Sequence, residues 1–236
     1  MGKIFFCLLL FNLIFFSGFA QFDSIRANNQ KEHSFLKKQI LPVGLIATGS
    51  LLNIGTIKNK IQDHIPNTNT HIENYFQYTP TALIYLYDLS GFKHQNSVFD
   101  QTKYYAISQI ISSTLVGNLK RITKVQRPVG GKTSFPSGHT ADAFVGATVL
   151  YHEFKNTEPL LAYSGYVFAT VTGVLRMTND AHWLPDVLTS AGIGMLTVNL
   201  VYHFKPLKKF QPFKREKDLT VIPLISSDSI GLLCRF

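Results

Sequence analysis

The chain has 236 residues, of which 45% are hydrophobic, and this is enough for one domain with a substantial apolar core. Its net charge of +9 favours acidic partners such as phosphates or an anionic membrane surface; no nucleic-acid-binding module is recognisable, so we expect no nucleic acid partner. Beyond the first twenty residues the only cysteine is Cys234, which excludes an intrachain disulfide and a cysteine metal site.

The first twenty residues have the pattern of a secretory signal peptide. Lys3 precedes an apolar run that ends in the small residues Gly18 and Ala20. This pattern predicts cleavage before Gln21 and an exported protein that is periplasmic or membrane-associated. The alternative is an uncleaved membrane anchor, although the apolar run is short for a membrane span.

The body of the chain is predicted to be all-α. Residues 21–74 form a polar lead-in that ends in a first helix, and residues 75–204 form the catalytic core. Six apolar stretches lack the alternation of a half-buried strand and predict an antiparallel bundle of about six helices: 41–57, 80–92, 105–119, 140–151, 160–175 and 187–204. Only the last approaches the about 20 residues of a membrane span, so we expect a soluble or membrane-associated bundle, with an integral membrane protein as the alternative.

The tail, residues 205–236, has a different composition. The segment "KPLKKFQPFKREK" (205–217) is either a solvated basic linker or a patch that rests on anionic lipid headgroups. Two short β-prone runs then flank "SSDS", which predicts a C-terminal β-hairpin over 218–236.

Three blocks of charged and small residues interrupt the apolar stretches. They are "KRITKVQRP" from Lys120, "PSGH" from Pro136, and "RMTNDAHWLPD" from Arg176. The first block closes one predicted helix and the second opens the next, while the third lies between the last two. In an up-and-down bundle all three blocks therefore lie at one pole.

That pole is predicted to bind an anion. Lys120, Arg127 and Arg176 supply cations, and a tetrahedral phosphate accepts bidentate hydrogen bonds from arginine. The start of the predicted 140–151 helix adds unpaired backbone N–H groups, and Gly138 has no side chain to cover them. The alternative for "PSGH" is a turn and helix cap without chemistry.

Two histidines provide candidate catalytic groups. His182 and Asp186 are four residues apart, so the carboxylate can hold one ring nitrogen and raise the nucleophilicity of the other. His139 has no carboxylate in its own block. Beside a phosphate it could stay protonated and donate a proton to a leaving oxygen.

Together these residues resemble the type-2 phosphatidic acid phosphatase and vanadium haloperoxidase superfamily. Its signature is K-x6-R-P, then P-S-G-H, then S-R-x5-H-x3-D, and the chain matches it over 120–186. One position departs from the pattern, because Leu175 stands where the family usually has serine. That change puts full catalytic efficiency in doubt.

The resemblance implies a phosphatase that uses no metal or other cofactor and forms a phosphohistidine. It implies that His182 attacks phosphorus, that Asp186 orients it, and that His139 protonates the leaving alcohol. Lys120, Arg127, Arg176 and the backbone of Ser137 and Gly138 would hold the phosphate oxygens. The rival functions are a non-catalytic phosphate- or phospholipid-binding protein and a vanadate-dependent haloperoxidase.

The resemblance leaves the substrate open. Lipid phosphates, isoprenyl diphosphates, lipid A phosphates and small soluble esters are all used within the superfamily. The aromatic residues of 75–100 either line a site for a hydrocarbon chain or belong to the core.

Overall fold

A computed structural model describes residues 29–54, 56–68, 70–131, 133–210, 220–226 and 229–235. The predicted signal peptide, residues 1–20, lies outside the described residues, as does the basic segment from 211 onward. The chain divides into two units, Met1–His203 and Phe204–Phe236.

The described part of the first unit is a bundle of α-helices, which confirms the predicted fold class. Its helices are α1 (Asn29–Leu52), α2 (Ile57–Gln62), α3 (Glu73–Phe76), α4 (Thr79–Leu89), α5 (Val98–Thr123), α6 (Gly138–Phe154), α7 (Pro159–Thr178) and α8 (Leu184–His203). The six predicted stretches correspond to α1 and α4 to α8. The short helices α2 and α3 were not predicted, because four to six residues are too few to establish a helical period.

Helix α6 lies at the centre of the bundle and α8 packs closely against it. Val145, Val149 and Leu150 of α6 are completely buried. A Cβ atom on Gly194 of α8 would lie 2.8 Å from the carbonyl oxygen of Ala141, so only glycine allows the two backbones to approach this closely. This contact fixes the start of α6 relative to α8.

Three helices are long and apolar enough to cross a membrane: Phe35–Leu52 within α1, α7 and α8. Their 18 to 20 residues correspond to about 27–30 Å, close to the thickness of a hydrocarbon core. On α7, Leu160, Tyr163 and Val167 are 88%, 57% and 63% exposed and share one face. The protein is therefore membrane-associated.

This finding corrects the expectation that only 187–204 comes near the length of a span. Two further helices qualify because they extend beyond the apolar stretches from which they were predicted. Helix α7 continues to Thr178 and the apolar window of α1 begins at Phe35, ahead of the stretch that starts at residue 41.

The second unit contains a short helix α9 (Lys205–Lys209) and two strands, β1 (Thr220–Ser226) and β2 (Ser229–Arg235). The strands pair antiparallel, with Thr220 opposite Arg235 and Ser226 opposite Ser229. They lie within the segment for which a hairpin was predicted.

Candidate active site

Backbone hydrogen bonds join the three blocks at one end of the bundle. The amide of Val129, in the loop after α5, donates to the carbonyl oxygen of Asp180 at 3.1 Å. The amide of Ser137, at the start of α6, donates to the carbonyl oxygen of Asp186 at 3.4 Å. The ends of α5 and α7 and the beginnings of α6 and α8 therefore meet in one place.

His182 lies in the loop between α7 and α8, directly beside Arg176. The amides of Ala181 and His182 both donate to the carbonyl oxygen of Arg176, at 3.1 and 3.2 Å. These bonds use a carbonyl that the end of α7 would otherwise leave unpaired. They also hold the backbone of His182 against the last turn of α7.

The His182 ring is paired with Asp186, which is fully buried in the first turn of α8. Nδ1 of His182 lies 3.3 Å from Oδ2 of Asp186, and the same oxygen accepts from the amide of Trp183 at 3.0 Å and from the hydroxyl of Ser134. A carboxylate at Nδ1 favours the tautomer with its proton on that nitrogen. Nε2 of His182 then carries the free lone pair.

The electrostatics of the pocket keep His182 neutral. Burial lowers its pKa to about 4, against the opposing effect of Asp186, and the charges of Lys120 and Arg176 lower it further. At neutral pH the ring is therefore unprotonated, which is the form in which an imidazole can act as a nucleophile.

The three predicted cations lie near one another, and Lys120 and Arg176 are close enough to this ring to lower its pKa, but the three have different partners. Nζ of Lys120 donates to the carbonyl oxygens of Thr133 and Ser134 at 3.0 and 3.1 Å, so this lysine also holds the loop that leads into α6. Burial and the neighbouring charge of Arg127 lower the pKa of Lys120 to about 8. Nε of Arg127 is buried and has no hydrogen-bond partner among the described residues.

Arg176 is held by a carboxylate that sequence reasoning missed. Its Nη1 lies 3.0 Å from Oε1 of Glu73 in α3, and both side chains are largely buried, at 10% and 3% exposure. Nε of Arg176 is also buried, and within the described chain it has no partner. Glu73 therefore fixes one edge of the guanidinium and leaves another donor for an anion.

His139 contacts Asn74, the residue that follows Glu73 in the short helix α3. Its Nε2 lies 2.9 Å from Oδ1 of Asn74. Burial and the charge of Arg176 lower the pKa of His139 to about 4. A protonated ring is expected when a phosphate lies beside it. Without a phosphate, the lowered pKa leaves His139 neutral at pH 7.

The beginning of α6 has an open approach for an anion. Ser137 is the N-cap residue, and its Oγ accepts from the amide and the hydroxyl of Thr140 at 3.4 and 2.9 Å. A Cβ atom placed on Gly138 would meet no atom within 4 Å. The space in front of the first N–H groups of the helix is therefore free.

The structure thus adds three residues to the predicted set: Glu73, Asn74 and Ser134. Ser134 lies two residues before the "PSGH" block and brings a buried hydroxyl into the site, whereas the family's usual serine position holds Leu175. Glu73 and Asn74 gave no signal in the sequence, because they lie far from the three blocks and outside the resemblance. Among residues 29–210, apart from 55, 69 and 132, no group of His, Cys, Asp and Glu side chains is arranged to hold a metal ion.

Comparisons with known proteins place this site in a family. Lipid A 1-phosphatase of Porphyromonas gingivalis is 33% identical over 144 residues, which is 59% of this chain and 32% of that protein. The chain therefore spans about a third of the length of this curated relative.

Two crystal structures also align with the chain. LpxE of Aquifex aeolicus aligns at 22% identity with a TM-score of 0.47, over 58% of this chain and 90% of that one. A transmembrane PAP2-type phosphatidylglycerolphosphate phosphatase of Bacillus subtilis aligns at 18% identity with a TM-score of 0.42, over 74% of this chain and 99% of that one.

The family assignment rests on the sequence match itself. The family model described as the PAP2 superfamily matches residues 40–210, a segment that holds every residue of the three blocks together with Glu73 and Asn74. This confirms the resemblance on which the sequence analysis relied. The chain belongs to the PAP2 superfamily.

Proposed function

We propose that this protein is a phosphatase that releases inorganic phosphate from a lipid-linked phosphate monoester or diphosphate through a phosphohistidine intermediate. The observation that carries the proposal is the neutral His182 ring, which a buried carboxylate holds at Nδ1 and whose pKa Lys120 and Arg176 lower, with Arg127 in turn acting on Lys120. This set provides a nucleophile and the positive charge that phosphoryl transfer requires.

In the first step Nε2 of His182 attacks phosphorus, the N–P bond forms, and the bond to the leaving oxygen breaks. Asp186 keeps the proton on Nδ1 and stabilises the ring as positive charge develops. Arg127 and Arg176 each have a buried Nε without a partner in the described chain, and these donors would bind the phosphoryl oxygens.

His139 would act as the general acid. Burial and the cations of the site lower its pKa. A phosphate dianion beside the ring neutralises those cations and adds negative charge, and both effects favour the protonated ring. This proton passes to the leaving oxygen. In the second step His139 accepts a proton from the water that attacks the phosphohistidine and frees inorganic phosphate.

Three features support a lipid substrate. The apolar helices α1, α7 and α8 have the length of membrane spans, and α7 exposes a continuous apolar face. The site lies where α7 ends and α8 begins, so in a bilayer crossed by these helices it would face the lipid headgroups. The lipid A 1-phosphatase of P. gingivalis also shares a third of its sequence positions with this chain over the matched region.

We further propose that the protein is exported, with the active site on the periplasmic side of a membrane. The signal-like first twenty residues support this location. An exposed position beside the site tests it: Val129→Cys, in a chain whose Cys234 is replaced by serine, should react with a membrane-impermeant thiol reagent in spheroplasts, and labelling only after lysis would contradict this location.

The catalytic proposal is tested with His182→Gln and a matched control, His71→Gln, which changes an exposed histidine outside the site. Purified protein is given a detergent-solubilised lipid phosphate, and released phosphate is measured. We expect His182→Gln to lose at least about 10³-fold in kcat, because the nucleophile is absent. We expect His71→Gln to match the unchanged protein.

The intermediate is tested by quenching the reaction on a ³²P-labelled substrate. The label should remain on the protein, with the acid lability of a phosphoramidate, and should be absent from His182→Gln. Full turnover in that variant would contradict the proposed mechanism. Binding of lipid phosphate without turnover by the unchanged protein would instead favour a non-catalytic binding protein.

A further inference from the structure

Ser134 is a fully buried residue of the site that the proposed mechanism does not use. It lies in the loop that leads into α6 and is 0% exposed. Its hydroxyl oxygen lies 3.3 Å from Nδ1 of His182, and the same hydroxyl donates to Oδ2 of Asp186. A group that contacts both members of this pair can influence the chemistry of the ring without contacting a substrate.

The backbone around Ser134 is held in place without its side chain. The amide of Ser134 donates to the carbonyl oxygen of Val125 at 2.7 Å, and its carbonyl oxygen accepts from Nζ of Lys120 at 3.1 Å. The next carbonyl oxygen, that of Phe135, accepts from the hydroxyl of Thr123 at 3.2 Å. The hydroxyl of Ser134 is therefore not needed to hold the loop.

The contact with Asp186 determines how the hydroxyl of Ser134 is oriented. A hydroxyl group has one proton to donate and two lone pairs that accept, whereas a carboxylate oxygen only accepts. The proton therefore points towards Oδ2 of Asp186, and a lone pair remains for Nδ1 of His182. Nδ1 makes a favourable contact with that lone pair only when it carries the ring proton. The hydroxyl and the carboxylate thus favour the same tautomer of the ring.

The distances around Nδ1 of His182 agree with a shared proton. Nδ1 lies 3.3 Å from the hydroxyl oxygen of Ser134 and 3.3 Å from Oδ2 of Asp186, so one N–H can serve both acceptors in a three-centre hydrogen bond. Oδ1 of Asp186 is buried and has no hydrogen-bond partner in the part of the chain that the structure describes. Oδ2 alone receives the contacts, from His182, from Ser134 and from the amide of Trp183.

We propose that Ser134 is a positioning residue for phosphoryl transfer. Its hydroxyl fixes the carboxylate of Asp186 and holds the proton of the His182 ring on Nδ1, so that Nε2 keeps the lone pair that attacks phosphorus. This inference rests on the proposed function for the identity of the nucleophile. It adds a residue that acts through His182 and Asp186 and does not contact the phosphate.

The tautomer is measured by NMR on the full chain in detergent, with ¹⁵N in the histidine rings, at pH 7, where the His182 ring is neutral. The two ring nitrogens of a neutral histidine resonate differently according to which of them holds the proton. The signals of His182 are those that are missing from His182→Gln. We expect a protonated Nδ1 in the unchanged protein. In Ser134→Ala both nitrogens should shift towards the values of a mixture of tautomers.

Steady-state kinetics gives a second measurement. Ser134→Ala should lower kcat by about tenfold to a hundredfold, as the loss of one hydrogen bond to a charged group would, and should change KM by less than about twofold. Ser134→Cys fills the same space with a weak donor and acceptor, so it should also lose activity although it leaves no cavity. The matched control is Ser112→Ala, which removes a fully buried hydroxyl of α5 that has no hydrogen-bond partner among the described residues. Its kcat should equal that of the unchanged protein.

A double-mutant cycle shows whether Ser134 acts through Asp186. If the hydroxyl and the carboxylate work as one unit, their substitutions are not additive. In a chain that already carries Asp186→Asn, the further change Ser134→Ala should therefore lower kcat by less than about threefold. Losses that multiply in the double variant would overturn the inference.

Unchanged ring signals in Ser134→Ala would overturn the inference even if kcat falls, because a merely structural role would give that result. Unchanged kcat in Ser134→Ala and Ser134→Cys would overturn it as well. The NMR measurement needs no turnover, so the two proposals can fail separately. If the unchanged protein releases no phosphate, the proposed function fails, and the ring signals still decide whether Ser134 sets the tautomer. If the protein turns over and the Ser134 variants match it, only the role of Ser134 is lost.

Discussion

Glu73→Gln is the substitution that most directly probes the electrostatics of the site. The change keeps the shape of the side chain and removes the charge that lies 3.0 Å from Nη1 of Arg176. Both partners are largely buried, and removing one member of such a pair typically costs about 3–5 kcal/mol. Because glutamine still offers a carbonyl oxygen to the guanidinium, we expect a loss of about 3 kcal/mol in the free energy of unfolding.

For a chain of this size that loss corresponds to a decrease of about 6–12 °C in Tm, measured by thermal unfolding in detergent. Excess inorganic phosphate should restore part of it, because the anion replaces the missing charge beside Arg176 and binds only the folded state. The stabilisation by phosphate should therefore be larger in Glu73→Gln than in the unchanged protein.

Glu153→Gln is the matched control. This carboxylate is also buried, but its donors are neutral: the amide and side chain of Asn96, both at 2.9 Å, and the hydroxyl of Tyr202 at 2.5 Å. Phosphate should stabilise this variant no more than it stabilises the unchanged protein. If phosphate has the same effect on both variants, Glu73 does not act through the charge of Arg176.

Three further predictions concern catalysis, pH and packing. Asp186→Asn should lower kcat by about 10³-fold with little change in KM, because the tautomer of the His182 ring is no longer fixed. A decrease in kcat of less than about tenfold, measured by steady-state kinetics, would contradict this role. Burial lowers the pKa of His182 from 6.5 to about 4, so between these pH values the unfolded chain binds more protons than the folded one. The free energy of unfolding, measured with denaturant, should therefore fall by up to about 3 kcal/mol as the pH falls from 6.5 to 4. A flat profile would be inconsistent with a neutral buried ring. Gly192→Ala should lower Tm by at least about 5 °C, because the added Cβ atom would lie 2.5 Å from the carbonyl oxygen of Pro42. Gly44→Ala is the control: its Cβ atom would meet no atom within 4 Å, so Tm should be unchanged or slightly higher.

The sequence was sufficient to predict the long helices and the contact between His182 and Asp186. Helical length and apolar composition are local properties, and the spacing from His182 to Asp186 places the two side chains one turn apart without any knowledge of the fold. The order of the blocks at the ends of helices gave the common pole, because consecutive antiparallel helices bring such ends together.

Other parts of the site depend on tertiary contacts that have no local pattern. Glu73 reaches Arg176 across 103 positions of sequence, through a helix of four residues. The neutral state of His139 could not be inferred either, because it depends on burial and on cations supplied by other segments. The span length of α7 was underestimated since its last turns, up to Thr178, carry the polar residues of the third block.

Arg176 lies in the last turn of α7 and Asp186 in the first turn of α8, so the proposed phosphate site lies at the ends of two apolar helices of membrane-spanning length. A lipid substrate would reach the enzyme by diffusing within a two-dimensional film, the bilayer or micelle surface. The concentration that governs the rate is then the mole fraction of substrate in that film. Diluting the substrate with an inert detergent at constant bulk concentration should slow turnover. The two products also separate at once: the orthophosphate diffuses into water, whereas the alcohol stays in the film and competes there with the next substrate molecule.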